Sequence, residues 1–175
     1  MNPFVAQIKH LYQNGSMTVR LVMVNVGVFV IIQIFNALDR LQVIGSASDL
    51  LAQNWSHYLF ALPVEPLGIL YKPWTLIASL FAHFGLLHLF SNLLFLFFAG
   101  NTYERFYGPK RLLHLYVLGG IAGNLTEILA HAIFPSLQNA SFSIVGASGS
   151  IMAIFSALAF AQPQLQVQLF GVLPL

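Results

Sequence analysis

The chain has 175 residues, 58% hydrophobic and 7% charged, against roughly 25% charged residues in a soluble domain, and its mean hydropathy is +0.78. That balance excludes a water-soluble globular fold and describes an integral membrane protein in contact with the lipid bilayer. The net charge of +2 comes from seven scattered Lys and Arg with no basic block for nucleic acid, and the lack of cysteine excludes disulfides and thiolate metal sites.

Residues 1–17 mix polar and apolar positions, include Lys9 and His10, and lack the small-residue cleavage site of a signal peptide, so a retained cytoplasmic tail is expected. Residues 18–175 then form one membrane domain. Its first span is expected at 19–38, where only Arg20, Asn25, Gln33 and Asn36 interrupt an apolar run long enough for a core of about 30 Å. The stretch 41–72 is too polar to span. Within it Leu50, Leu51, Trp55, Tyr58, Leu59 and Phe60 recur at helical spacing, which predicts an amphipathic helix on the membrane surface. Pro63, Pro66, Gly68 and Pro73 break any long helix after it.

A second span is expected at 85–103, then a turn marked by Gly108-Pro109 and Lys110-Arg111, then a third span at 112–134. Gly119 and Gly123, four apart on the third span, allow close helix packing. After an uncharged loop, 146–161 reads as a fourth span and 165–175 as the start of a fifth. The expected fold is therefore all-α, a polytopic transmembrane bundle of four full spans and part of another. Lys9 and Arg20 before the first span, with Arg105, Lys110 and Arg111 between the second and third, assign those ends to the cytoplasm. The uncharged loop before the fourth span then lies near the outer face.

At that end stands Gly146-Ala147-Ser148-Gly149, a hydroxyl between small residues at the mouth of an apolar helix. In the first turn, Ser148 would be surrounded by free N–H groups and the positive end of the helix dipole, which favour developing negative charge. Small residues of this kind also serve simple helix packing, so the other spans decide. His83, His88 and Asn92 mark the outer end of the second span, and His88 and Asn92, four apart, share a face. The spacing does not suit zinc. An imidazole N–H and an amide NH₂ do suit an anionic oxygen.

Together these residues resemble the rhomboid family of intramembrane serine proteases. The resemblance is carried by Trp74, His83, His88, Asn92, Gly100, Glu104 and Gly108, and by the Gly146 to Gly149 motif. It implies that Ser148 is the nucleophile, that His88 and Asn92 bind the oxyanion, and that His83 supports the loop between the first two spans. It further implies that Glu104 is a buried acceptor holding helices together and that Gly146 allows close helix packing. No metal or cofactor is expected, and the substrate would be another transmembrane protein cleaved in or near its span, in a bacterial inner membrane.

Three features depart from the family pattern. Thr75 follows Trp74 where arginine is common, and Met152 stands where an aromatic usually stacks on the catalytic histidine. The family's general base, a histidine on a sixth span, has no counterpart among residues 1–175, so these residues are expected to be a truncated piece, inactive alone. Of the other histidines, only His131, one helical turn after Glu127, could pass for a base with its orienting carboxylate. A non-catalytic rhomboid-like protein that binds transmembrane partners is the alternative. A transporter or channel would need internal repeats and charges near the bilayer centre, and the sequence has neither.

Overall fold

A computed structural model describes residues 3–40, 55–65, 67–134, 137, 143–164, 168–169 and 173–174. Its frame is three helices long and apolar enough to cross a membrane: α2 (Met17–Arg40), α6 (Leu86–Tyr107) and α7 (Pro109–Ile133). This is an all-α integral membrane protein. Ahead of α2 the expected tail is itself helical, α1 (Pro3–Asn14). The Ser16 hydroxyl accepts the Val19 N–H at 3.2 Å and so caps the start of α2. Gly108, at φ 84°, makes the reversal between α6 and α7, and Pro109 follows at the first helical position, where its missing N–H costs nothing.

Between α2 and α6 the chain folds into short pieces: α3 (Trp55–Phe60), β1 (Leu62–Pro63), α4 (Gly68–Tyr71), α5 (Thr75–Ala78) and a 3₁₀ turn, Ser79–Phe81. Of the expected surface helix, α3 is present, while Leu50 and Leu51 lie outside the described residues. Trp74 donates its indole N–H to the Leu59 carbonyl at 3.2 Å and leans on Tyr58. Thr75 is buried and donates its hydroxyl to the Lys72 carbonyl at 2.6 Å. The segment therefore holds itself together without an arginine after Trp74.

Two expectations at the C-terminal side need correction. The fourth helix, α8 (Ser148–Ala161), leaves Gly146 outside because its φ of 116° is not helical, and its 14 residues cover only about 21 Å of a core of about 30 Å. The described part of 165–175 is not helical either. Gln168–Leu169 (β3) pairs antiparallel with Leu173–Pro174 (β4), in keeping with polar and apolar residues alternating from Gln164 to Leu169, a strand period. The rest of that stretch lies outside the described residues. A second short ladder pairs β1 with β2 (Ser143–Ile144), Leu62 opposite Ile144. It ties the loop after α3 to the segment leading into α8.

The core lies between α6, α7 and α8, around Leu96, Leu112, Tyr116, Ile151 and Ile154. Glycines set the α7–α8 spacing. A Cβ on Gly119 would overlap that of Ala153, and one on Gly123 would stand 3.1 Å from the Gly149 Cα. Membrane helices gain from such backbone approach because lipid supplies no hydrophobic drive for association. At the opposite end Glu104, only half-buried, accepts the Met17 N–H at 2.8 Å, the Thr18 N–H at 2.9 Å and the Thr18 hydroxyl at 2.8 Å. It thereby caps α2 from α6, with its charge at the positive end of the α2 dipole. Gly100 makes room for this, since a Cβ there would meet Thr18 at 3.0 Å. Glu104→Ala should lower unfolding stability in detergent by about 2 kcal/mol, since bonds to a charged acceptor contribute about 1.5–3 kcal/mol, and Glu104→Gln by less; equal loss in both would mean that charge is irrelevant.

Candidate active site

Gly146 brings the candidate residues together. Its N–H donates to the Ser79 carbonyl at 2.9 Å, which holds the approach to α8 against the 3₁₀ turn. A Cβ on Gly146 would lie 2.8 Å from Cε1 and 2.9 Å from Nε2 of His88, and 3.4 Å from Nδ2 of Asn92. The imidazole and the amide thus occupy the space beside the backbone two residues before Ser148 that a side chain at Gly146 would need. At this φ a side chain would also be strained. Ser148 opens α8 with an exposed side chain, and the helix's first turn has no side-chain cap. Its N–H groups therefore face the same region as the Ser148 hydroxyl.

His83 lies behind this pair and is fully buried. Its Nδ1 is 3.3 Å from the Phe81 carbonyl, which can only accept, so Nδ1 carries the hydrogen. Nε2 is then the acceptor, and Asn92 donates one amide hydrogen to it at 2.8 Å. The second amide hydrogen of Asn92 remains for another partner. The His88 ring meets His83 edge-on at 5.0 Å. Burial above all, and then the neighbouring His88, lowers the His83 pKa to about 4, the Phe81 bond opposing in part. His83 is thus neutral at physiological pH, outside the three long helices.

Two polar residues of α7 whose partners the sequence did not reveal hold the segment around Ser79. Asn124 of α7, buried, donates to the Ser79 hydroxyl at 2.9 Å and the Leu76 carbonyl at 3.1 Å. Tyr116 donates to the Leu80 carbonyl at 3.0 Å and receives a bond from Asn25 of α2 at 3.1 Å. Asn25 was visible only as a polar interruption of an apolar span, and Asn124 was not singled out, although a polar group in a bilayer is costly enough to need a partner.

Ser148 opens onto a cleft of about 590 Å³ bounded by α7, β2 and the start of α8, with Glu127, His131, Ser143, Gly146 and Met152 in its walls. His131 shares the cleft but not the reach. Gly123 packs on Gly149, and eight further residues of α7 carry His131 about 12 Å along its axis, too far for contact at about 3 Å. Its Nδ1 donates to the Glu127 carbonyl at 3.0 Å, and the Glu127 carboxylate is 3.7 Å away. The expected carboxylate–imidazole pair is therefore a backbone bond. Of the other histidines, His57 stacks on Phe84 at 4.1 Å, while His10 and His114 lie exposed toward the other side. Among the described residues none hydrogen-bonds to Ser148.

A family model for the rhomboid domain matches residues 71–175. The chain belongs to the rhomboid family. It is 29% identical to RHOMBOID-like protein 12, mitochondrial, of Arabidopsis thaliana over 95% of this chain and 48% of that protein. It is also 29% identical to rhomboid protease AarA of Providencia stuartii, over 89% and 55%. Inactive RHOMBOID-like protein 8 of Arabidopsis thaliana is 39% identical over 46% of this chain and 23% of its own. The chain spans about half or less of the length of these relatives, and the rhomboid family as matched here includes both proteases and an inactive member.

The buried, neutral His83 gives this rhomboid site a pH signature. An unfolded chain takes up a proton near pH 6.5, whereas folded His83 does so only near pH 4, so lowering the pH favours unfolding across that interval. The melting temperature in detergent should fall between about pH 6.5 and 4, and less steeply in His83→Asn. The same slope in both would assign the effect to other groups.

Proposed function

We propose that this protein is an intramembrane serine endopeptidase that hydrolyses a peptide bond in or near the transmembrane segment of a membrane-protein substrate. The observation that carries the reading is the convergence of His88 and Asn92 on the space that Gly146 leaves open by lacking a Cβ, beside an exposed serine at an uncapped helix N-terminus. Ser148 Oγ attacks the scissile carbonyl and gives its proton to a base, which must come within about 3 Å from outside the described residues. The oxyanion so formed is stabilised by the His88 N–H, by the Asn92 amide hydrogen not used on His83, and by the N–H groups opening α8. Collapse of the tetrahedral intermediate expels the amine and leaves an acyl-serine, which water hydrolyses. His83, Trp74, Gly146 and Gly149 support the site through packing and hydrogen bonds. The charge pattern sets the N-terminus and the α6–α7 turn on the cytoplasmic side and the serine toward the outer face.

A second reading, a non-catalytic rhomboid protein that binds transmembrane partners, is favoured by one finding, the match to a relative named as inactive. The two readings differ at one hydroxyl. In the complete protein, reconstituted in proteoliposomes with a fluorescent transmembrane substrate, Ser148→Ala should abolish both cleavage and labelling by a small fluorophosphonate while leaving the fold intact. His88→Ala or Asn92→Ala should slow cleavage by about 10²- to 10³-fold, the typical effect of losing one oxyanion donor, and labelling of Ser148 should persist. Cleavage by Ser148→Ala removes the nucleophile assignment, and an unlabelled, inactive wild type supports the non-catalytic reading.

A further inference from the structure

α1 has no part in the site described above, and its residues are sorted by face. At about 100° per residue, Phe4, Val5, Ile8, Leu11 and Tyr12 fall within about 120° of one another, Lys9 borders that arc, and His10 and Gln13 stand opposite. Val5, Leu11 and Tyr12 are 51%, 48% and 49% exposed, so the described elements leave this face largely open. A helix of 12 residues is marginal in water unless something packs on its apolar face.

The helix is held where the first span begins. Only Gly15 and Ser16 separate it from α2. Arg20, in the first turn of α2, donates to the Gln13 carbonyl at 2.8 Å, and its guanidinium lies 5.9 Å from the Tyr12 ring centre. A cation at the C-terminal carbonyls of α1 suits that helix's dipole.

The same end of the bundle is basic. Glu104 ties the end of α6 to the start of α2, which sets α1 and the α6–α7 turn on one side. Lys9, Arg105, Lys110 and Arg111 are exposed there, and none forms an ion pair among the described residues. Glu104, the described acid at that end, is spent on α2. Lys110 and Arg111 also occupy the first turn of α7, which holds no acidic residue and where the helix dipole opposes positive charge. Membrane topology accounts for cations at a cytoplasmic end, but it does not call for an open apolar arc beside them.

We infer that α1 is an interfacial helix that docks on an anionic lipid surface. Its arc enters the boundary between headgroups and acyl chains, about 5–10 Å deep, while Lys9, Lys110 and Arg111 meet the anionic headgroups. Tyr12 suits that depth, and Lys9 at the edge of the arc can bury its stem and keep its ammonium among the headgroups. Each cation near such a surface strengthens attachment about fivefold. A two-fold pairing of α1 with a second copy would instead bring Lys9 toward like charges, so the charges favour lipid as the occupant. The inference is independent of the role of Ser148.

The test attaches a fluorophore to single cysteines, Leu11→Cys on the arc and His10→Cys opposite it, in the complete protein, cysteine-free elsewhere. The protein is reconstituted in vesicles of phosphatidylcholine alone or with one third phosphatidylglycerol, each containing a lipid with a nitroxide near the top of its acyl chain. With phosphatidylglycerol, the fluorophore at Leu11→Cys should be quenched at least about threefold more than that at His10→Cys, as a shallow, one-sided insertion requires. In phosphatidylcholine alone that ratio should fall by at least about half, and molar salt or Lys9→Glu should lower it in the charged vesicles. A ratio near one with phosphatidylglycerol, or the same ratio in both lipids, overturns the proposal. So does a Leu11→Cys fluorophore shielded from lipid to a degree that changes with the protein-to-lipid ratio, which would assign the arc to a second copy. Should Lys9→Glu fail to fold, the two lipid compositions decide.

Discussion

The Gly146 N–H bond to the Ser79 carbonyl is the constraint on which the candidate site depends. It fixes the backbone just before α8 to the 3₁₀ turn, and the missing Cβ lets His88 and Asn92 close in from α6. Three separate parts of the chain meet there. Without the bond the approach to the serine would be a free loop, and the spacing between Ser148 and the α6 donors would vary with it. The positive φ and the steric contact demand glycine for two independent reasons, so even alanine is excluded at that position.

A carbonyl can act as an anchor only if it is itself held, and here membrane energetics do the holding. Asn124 binds the Ser79 side chain, while Tyr116 and Asn25 secure the neighbouring Leu80 carbonyl. Each of these groups is buried, with no water to replace a lost partner, so each bond is expensive to leave unmade. The polar residues that interrupt α2 and α7 thus pin a non-helical segment between membrane helices. Irregular backbone at this depth is tolerated because protein encloses it.

The long helices were legible because an apolar run is a direct reading of the solvent around it. The expected spans at 19–38, 85–103 and 112–134 fall, but for Gly85 and Phe134, within Met17–Arg40, Leu86–Tyr107 and Pro109–Ile133. The additional turns carry residues such as Glu104 and Lys110 that a hydropathy window discards. His88 and Asn92 could be assigned to one helix face from their spacing alone. Their meeting with Gly146 could not, because it depends on a carbonyl, Ser79, that leaves no trace in a side-chain pattern. Asn124 was passed over, because its partners lie 45 and 48 residues away. The stretch 165–175 misled by total hydrophobicity: as far as Leu169 its apolar residues alternate with Gln, and the period, not the sum, distinguishes a strand from a span.

The shortness of α8 connects the fold to the chemistry. At its C-terminal end Gln162 donates to the Tyr107 hydroxyl at 3.3 Å, which places that end level with the charged turn between α6 and α7, hence at a membrane surface. From there about 21 Å of helix leaves the serine end roughly 9 Å short of the opposite face of a core of about 30 Å. A hydroxyl at that depth would ordinarily be surrounded by lipid or packed side chains. The cleft bounded by α7 and β2 instead reaches Ser148 and sets a few polar groups, Asn124, Glu127 and Ser143 among them, in otherwise apolar walls. The serine is thereby reached by an opening within the protein. The same recess weakens solvent screening, so the N–H groups that open α8 act on any negative charge beside Ser148 more strongly than at an open surface. Glycine packing of α7 on α8 maintains this geometry, since a Cβ on Gly119 or Gly123 would push the start of α8 away from α7.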